Sequence, residues 1–540
     1  MAEDRRKLFT LIATILGSTI VFLDGTVVNV ALPAISDELD AGLADQQWIV
    51  ESYMLATGSL LLVGGALGDQ FGRRRVFIIG LVLFGITSVF CAVAPTSEIL
   101  IGSRALQGFA GALLVPGSLA ILTATFEGAE RGKAIGTWTA WTGIATVFGP
   151  AGGGALVEAI SWRAIFWVNI PLIVGCVLLA RAYVRESVDP DADRAIDWAG
   201  IGLSALGLGG PVYALIEQPR EGWGSPMVYL PLIGGIALFA AFLLWESRYR
   251  HAMLDLSLFR IRNFAITNLE TLIVYAGLIG AFFFVTLFLQ QTAGYTPLAA
   301  GFATTPISLL LFLLSPWFGR ISTSIGPRVP MCVGPIVGGV GLLLLTRIGA
   351  DADYVTEVLP GVLVFGLGLS ATVAPLTATA LNSVAQRHAG IASGINNGVS
   401  RMAGLLAIAV LGALISGQFS STVNSEIADS ALTPEAEASL DRAKGNPFVP
   451  PVTDGLAADD ARLVEAAATE GSESAFHLAM IVNGALMIVG GVIAGFGIQN
   501  PRRERDWIPP RAAPAGECVR CDEAGHTGNH REHEREPAPA

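Results

Sequence analysis

Apolar residues run along this chain in stretches near 20 residues long, separated by short polar junctions, from Leu8 almost to Ile498. A helix crossing a hydrocarbon core of roughly 30 Å needs about 20 such residues, and lipid offers its backbone no outside partner. Each stretch therefore predicts a membrane-spanning helix. They lie at 8–34, 47–67, 76–94, 97–125, 132–157, 164–184 and 197–217, then at 227–245, 264–291, 298–318, 330–346, 357–380, 389–418 and 474–498. The pattern describes an all-α polytopic membrane protein with about 14 transmembrane helices. One insertion breaks the rhythm: residues 420–473, rich in Ala, Asp, Glu, Ser and Pro, suit a solvated loop with a short helix near 457–469.

Composition agrees, since the 540 residues are 52% hydrophobic and only 14% charged, whereas soluble domains carry about 25% charged residues. The net charge of −12 is unevenly spread, its acidic excess lying mainly in the long insertion, and says little about a substrate. Basic residues instead collect at alternate junctions. One side holds Arg5, Arg6 and Lys7, Arg73 to Arg75, Arg131 and Lys133, Arg181, Arg185, Arg194, Arg248, Arg250, Arg260, Arg262, Arg320, Arg328, Arg387, Arg502, Arg503 and Arg505. The other holds Arg163, Arg220, Arg347, Arg442, Lys444 and Arg462. This asymmetry predicts that both termini are cytoplasmic and supports an even helix count. The first run is too long for a signal-peptide core and lacks a cleavage site, so it is read as retained. Cys91, Cys176 and Cys332 lie in apolar runs and suggest no disulfide framework.

An internal repeat organises the body. Gly65-Ala66-Leu67-Gly68-Asp69-Gln70-Phe71-Gly72-Arg73-Arg74-Arg75 recurs weakly at 319–328, where Gly319, Gly326 and Arg328 match Gly65, Gly72 and Arg74 while Thr323 replaces Asp69. The copies follow the second and tenth runs. Hence residues 1–196 form a six-helix lobe, 197–262 an inserted helix pair with its linker, 263–500 a second six-helix lobe and 501–540 a tail. Paired repeats around a midplane cavity are the architecture of alternating-access transporters.

Chemistry concentrates on charges inside apolar runs. Asp24 is the only ionisable residue between Leu8 and Ala34, so it faces a cavity, finds a cationic partner or stays protonated; a polar contact locking two helices is the plainer alternative. Arg104 needs an anion or a wet cavity, and Asp24 is its natural partner, either as a proton-dependent switch or as a static pair. Glu51, Glu158 and Glu270 sit in or near runs. Of these, Glu51 and Glu270 are candidates for a cavity that takes a cationic substrate, Glu270 the better one or else an interfacial or helix-packing acid, with Asn396, Asn397 and Arg401 from the second lobe. Phe282, Phe283, Phe284 and Phe288 offer aromatic surface to a ligand or to lipid. Gly143, Gly149, Pro150 and Gly152 to Gly154 permit close helix contact and a bend. In the tail, Cys518, Cys521, His526 and His530 are a ligand set for one tetrahedral Zn²⁺, or an incidental cluster in a polar segment.

Gly65, Asp69, Gly72 and Arg73 fall in a stretch that closely resembles the signature loop of the major facilitator superfamily. Arg104-Ala105-Leu106-Gln107-Gly108 is similar to the family's membrane-embedded arginine motif, and Gly149-Pro150-Ala151-Gly152-Gly153-Gly154 to its antiporter motif, although Ala145 replaces a usual glycine. Leu23 to Pro33, Trp162 to Pro171, Asp197 to Gly200 and Ala389 to Asn397 resemble the drug:proton antiporter branch with 14 helices. The resemblance implies a major facilitator fold and a monomer in a bacterial plasma membrane. It also implies export of amphipathic drugs or metabolites in exchange for protons, with Asp24 and Arg104 in proton coupling. It requires no cofactor and no nucleic acid. No Walker-type Gly-x-x-x-x-Gly-Lys stretch points to ATP, and no compact acid–base or nucleophile motif points to an enzyme. An exporter dedicated to one endogenous metabolite and a non-transporting sensor signalling through the tail are the competing readings.

Overall fold

The structure, a computed structural model, describes residues 2–188, 197–249, 254–384, 389–428, 430 and 432–500. The described residues hold helices and no strand. In the first lobe these are α1 (Ala2–Leu39), α2 (Leu43–Phe71), α3 (Arg73–Ala92), α4 (Ser97–Thr125), α5 (Gly128–Ala159), the single turn α6 (Ala164–Trp167) and α7 (Asn169–Tyr183). The inserted pair is α8 (Trp198–Glu221) and α9 (Pro226–Glu246). The second lobe has α10 (Arg262–Gln291), α11 (Pro297–Ile325), α12 (Arg328–Leu344), α13 (Leu359–Asn382), α14 (Ala389–Glu426), α15 (Pro434–Lys444) and α16 (Ala458–Gly497).

Among the described residues, 12 helices are long and apolar enough to cross a membrane, and α2, bent by 49°, brings the number to 13. Helix α5, 32 residues long, stands where the fifth of the 14 expected spans falls. Spans generally extend beyond the apolar runs, because a helix continues through polar turns once its backbone ladder is in place.

The insertion at 420–473 differs from expectation. Helix α14 carries on to Glu426, α15 covers Pro434–Lys444, and the short helix expected near 457–469 is the opening of α16. The segment is a folded cap because it owns apolar residues: Ala436, Leu440, Phe448 and Val464 are buried in one cluster with Phe283, Phe284 and Phe288. Phe288 stacks on Phe476 at 4.1 Å and meets Phe448 edge-on at 5.9 Å. Phe284 and Phe288 therefore face the cap and not lipid, Phe283 is buried beside Phe284, and Phe282 packs on Phe365 of α13 at 6.2 Å.

The helix ends form two faces: a basic face carrying Arg73 to Arg75 and Arg328, and a far face carrying the cap. The repeat is visible at the basic face. Gly72 (φ 108°) and Gly326 (φ 91°) turn the chain between paired helices in a conformation that L side chains rarely adopt. The next helix start is held in the same way in each lobe. Arg74 N–H donates to Glu186 at 3.0 Å and Arg328 N–H to Asn500 at 3.1 Å, both acceptors lying just past the last helix of their lobe.

The lobes join along the far face. There α5 packs on α11 through glycine: a Cβ on Gly301 would stand 2.5 Å from the Pro150 carbonyl oxygen, and one on Gly154 would strike the Pro297 carbonyl. On the other flank, Gln47 donates to the Ile408 carbonyl at 2.6 Å. The inserted pair covers this flank, packing Val212 and Ile216 against Ala44, Leu405 and Ala409. Asp197 fixes the pair by accepting from Gly200 N–H at 2.8 Å and from the Trp245 indole at 3.0 Å.

Candidate functional site

Asp24 and Arg104 meet inside the first lobe, both almost wholly buried, with Arg104 Nη1 donating to Asp24 Oδ2. The other carboxylate oxygen accepts from Gln107 Nε2 and Asn169 Nδ2, each at 3.0 Å. Ser88 Oγ closes the ring, accepting from Gln107 at 2.9 Å and Asn169 at 3.3 Å. The guanidinium also donates to Gln107 Oε1 at 2.6 Å and to the Ile49 carbonyl at 3.2 Å, and lies 4.1 Å from the centre of the Tyr53 ring. Five helices thus meet on one ion pair. Charge-assisted hydrogen bonds in a water-poor interior are strong, and each broken one leaves a costly orphan.

Sequence reasoning supplied the two charges and missed their neutral partners. Gln107 falls within the arginine motif, and Asn169 within the Trp162–Pro171 stretch that resembles the drug:proton antiporter branch. The first part of that stretch sits at the far face, where Trp162 and Arg163 bind Glu38, and Asn169, six residues past Arg163, reaches the acid.

Helix α1 passes the ion pair on to α5. Thr26 and Val27 lie two and three residues past Asp24, and a Cβ on Gly149 or Gly153 would stand 2.6 Å from Thr26 Oγ1 or Val27 Cγ1. The antiporter-type glycines therefore seat α5 on the segment that bears the acid. The next glycine along, Gly154, with Pro150 seats it on the second lobe.

Glu51 lies on the α2 stripe that faces α14. Gln47, one turn before it, touches α14 at Ile408, and Met54 and Gly58, after it, touch Gly404 and Arg401. Glu270 lies between Ile266, which packs on Gly497, and Val274, which packs on Gly490, so it is enclosed between α10 and α16 within the second lobe. Both carboxyls are fully buried with no hydrogen-bond partner among the described residues. Asn396 donates to Thr271 at 2.8 Å and to Asn268 at 3.3 Å, while Asn397 is exposed and bonds its own helix. Arg401 lines a chamber between the inserted pair and both lobes. At the basic face Asp69 accepts from Arg73 Nε at 2.8 Å, and Gly65 packs on Pro116. Glu158, at the far face, accepts from Leu298 N–H at 3.3 Å.

Cys518, Cys521, His526 and His530 lie outside the described residues. Among the described residues, no group of three or more His, Cys, Asp or Glu is placed to hold a metal.

A sequence profile described as Major Facilitator Superfamily matches residues 14–408. The tetracenomycin C resistance and export protein of Streptomyces glaucescens is 30% identical over 94% of this chain and 95% of its own. The multidrug resistance protein Stp of Mycobacterium tuberculosis is 36% identical over 78% of each chain. The puromycin resistance protein of Streptomyces alboniger is 35% identical over 77% of this chain and 83% of its own. Among solved structures, a bacterial homolog of the human lysosomal transporter Spinster, inward-facing and unoccupied, shares the fold with a TM-score of 0.64 at 17% identity. It covers 92% of this chain and 99% of its own.

Proposed function

The chain belongs to the major facilitator superfamily, and from that premise we propose that it exports amphipathic drugs or metabolites across a bacterial plasma membrane in exchange for protons. Membership makes it a multi-pass transporter and no enzyme, and its relatives are resistance and export proteins. The observation that carries proton exchange is the buried Asp24–Arg104 pair. A proton arriving on Asp24 cancels the charge that holds Arg104, which then keeps only Gln107 and the Ile49 carbonyl. Helix α1 is thereby released from α4 and α7. Because Thr26 and Val27 seat α5, and α5 seats α11, this release reaches the far-face seam between the lobes. Loss of the proton re-forms the pair and the seam.

In this reading the basic face is cytoplasmic, both termini lie there, and the monomer suffices. On that assignment the far face, held together by the α5–α11 contact and the cap, is the outer one. Glu51, on the α2–α14 flank and without a hydrogen-bond partner among the described residues, is the acid assigned to cationic substrates; Asn396, Asn397 and Arg401 supply the second lobe's side of the pathway. The mechanism uses no cofactor, and zinc on the tail has no part in it. Proteoliposomes holding the full chain test the proposal: an imposed proton gradient drives uptake of a cationic dye such as ethidium, and Asp24→Asn stops it. Gradient-independent dye movement, or undiminished exchange in Asp24→Asn, overturns it.

A further inference from the structure

A chamber of about 570 Å³ lies between the inserted pair and the two lobes, in the half of the molecule toward the basic face. Its volume falls within the range of small-molecule sites. Phe239 and Phe242 on α9, Phe259 on the linker and Leu272 on α10 supply apolar walls. Among the described residues, polar groups are few: Asn268, Ser59 and Ser204, and one full charge, Arg401 on α14.

Arg401 has no hydrogen bond or ion pair among the described residues, and its side chain, pressed against Gly58, is half-buried. A guanidinium is charged at any physiological pH and presents a fork of donors suited to carboxylate and phosphate. Left alone beside apolar walls it is costly. The chamber also keeps room for an occupant: a Cβ built on Gly398, another lining residue, meets nothing within 4 Å.

We propose that this chamber binds one anionic amphiphile, its apolar body against Phe239, Phe242 and Phe259 and its phosphate or carboxylate head on Arg401. Arg401 is the thirteenth residue of α14 and packs against Gly58, midway along α2, so the head sits at the deep end of the chamber, whose other end lies toward the basic face and the acidic lipids of a cytoplasmic leaflet. Only that last placement rests on the cytoplasmic assignment of the basic face; the ligand chemistry does not. Because α2 comes from the first lobe and α10 and α14 from the second, an occupant wedges the lobes apart here and favours the conformer closed at the far face.

Native mass spectrometry of the full chain, released from a neutral detergent, tests the site with phosphatidylglycerol, oleate and uncharged monoolein as separate probes. A single stoichiometric adduct forms with an acidic probe and not with monoolein. Arg401→Gln weakens it at least tenfold, and Gly398→Leu, which fills the chamber, removes it; both variants retain the parent's thermal midpoint within a few degrees. Retention of phosphatidylglycerol over oleate identifies a lipid site, and the reverse identifies a site for free amphipathic acids. Adducts that survive both substitutions, equal retention of monoolein, or no stoichiometric adduct with either acid overturn the proposal. None of these readouts depends on export.

Discussion

At the scale of the residue, Asp24 does two things that separate on substitution. It neutralises Arg104, and through Oδ1 it accepts from Gln107 and Asn169. Asp24→Ala removes both roles, stranding a buried guanidinium and two amide donors, and costs about 3–5 kcal/mol. Asp24→Asn keeps an oxygen for the amides and loses only the charge, so it unfolds at a temperature between parent and alanine variant. Adding Arg104→Gln to Asp24→Asn removes the stranded charge and restores part of the loss. Thermal unfolding of the four proteins in one detergent checks the order; an alanine variant as stable as the parent contradicts it. The charges were legible because ionisable residues in an apolar run are rare and costly. Gln107, Asn169 and Ser88 were not, since neutral polar residues are ordinary in membrane helices and only the packing of α3, α4 and α7 shows which ones turn toward the acid.

At the scale of the element, the seam between α5 and α11 is made of glycine and carbonyl oxygen, with no room for a methyl group at Gly154 or Gly301. Overpacking costs about 1–3 kcal/mol. That cost falls only on the conformer in which the two helices touch, so Gly154→Ala or Gly301→Ala shifts the population toward an open far face by about tenfold at 1.4 kcal/mol. A cysteine placed at Ser36, buried at the far face, reports the shift. With Cys332, Cys518 and Cys521 replaced by serine, its labelling by an impermeant maleimide is faster in either glycine variant; unchanged labelling sinks the idea. The glycine motif was visible in the sequence, but its partner was not. Gly301 sits in an unremarked stretch of α11, and one-dimensional spacing cannot pair helices from different lobes. Residues 420–473 were misread for a related reason: composition averaged over a mostly polar segment hid Phe448 and Leu440, which gain a purpose only once Phe284 and Phe288 are beneath them.

At the scale of the molecule, the cap ties the lobes together. It belongs to the second lobe, where Thr292 donates to the Phe448 carbonyl at 3.0 Å. It also reaches the first: Leu43 N–H donates to the Gly445 carbonyl at 3.2 Å, and Asn446 donates to Ser36 Oγ at 3.3 Å. An alternating-access cycle opens whichever face is closed, so these bonds break once per turnover if the far face opens. The strap is then either a latch that lets go or a permanent bridge around which the lobes pivot elsewhere. A Ser36→Cys, Asn446→Cys pair, in the same background that keeps only the buried Cys91 and Cys176, separates the two. Joined by a short bifunctional thiol reagent, the pair holds the strap to the first lobe. Export by a latch stops on cross-linking and returns when a cleavable linker is reduced, while the single-cysteine variants treated alike keep their rate. Export that continues with the strap tied down assigns the opening to the α5–α11 flank alone, and makes the cap a fixed roof over Phe288 and Phe476.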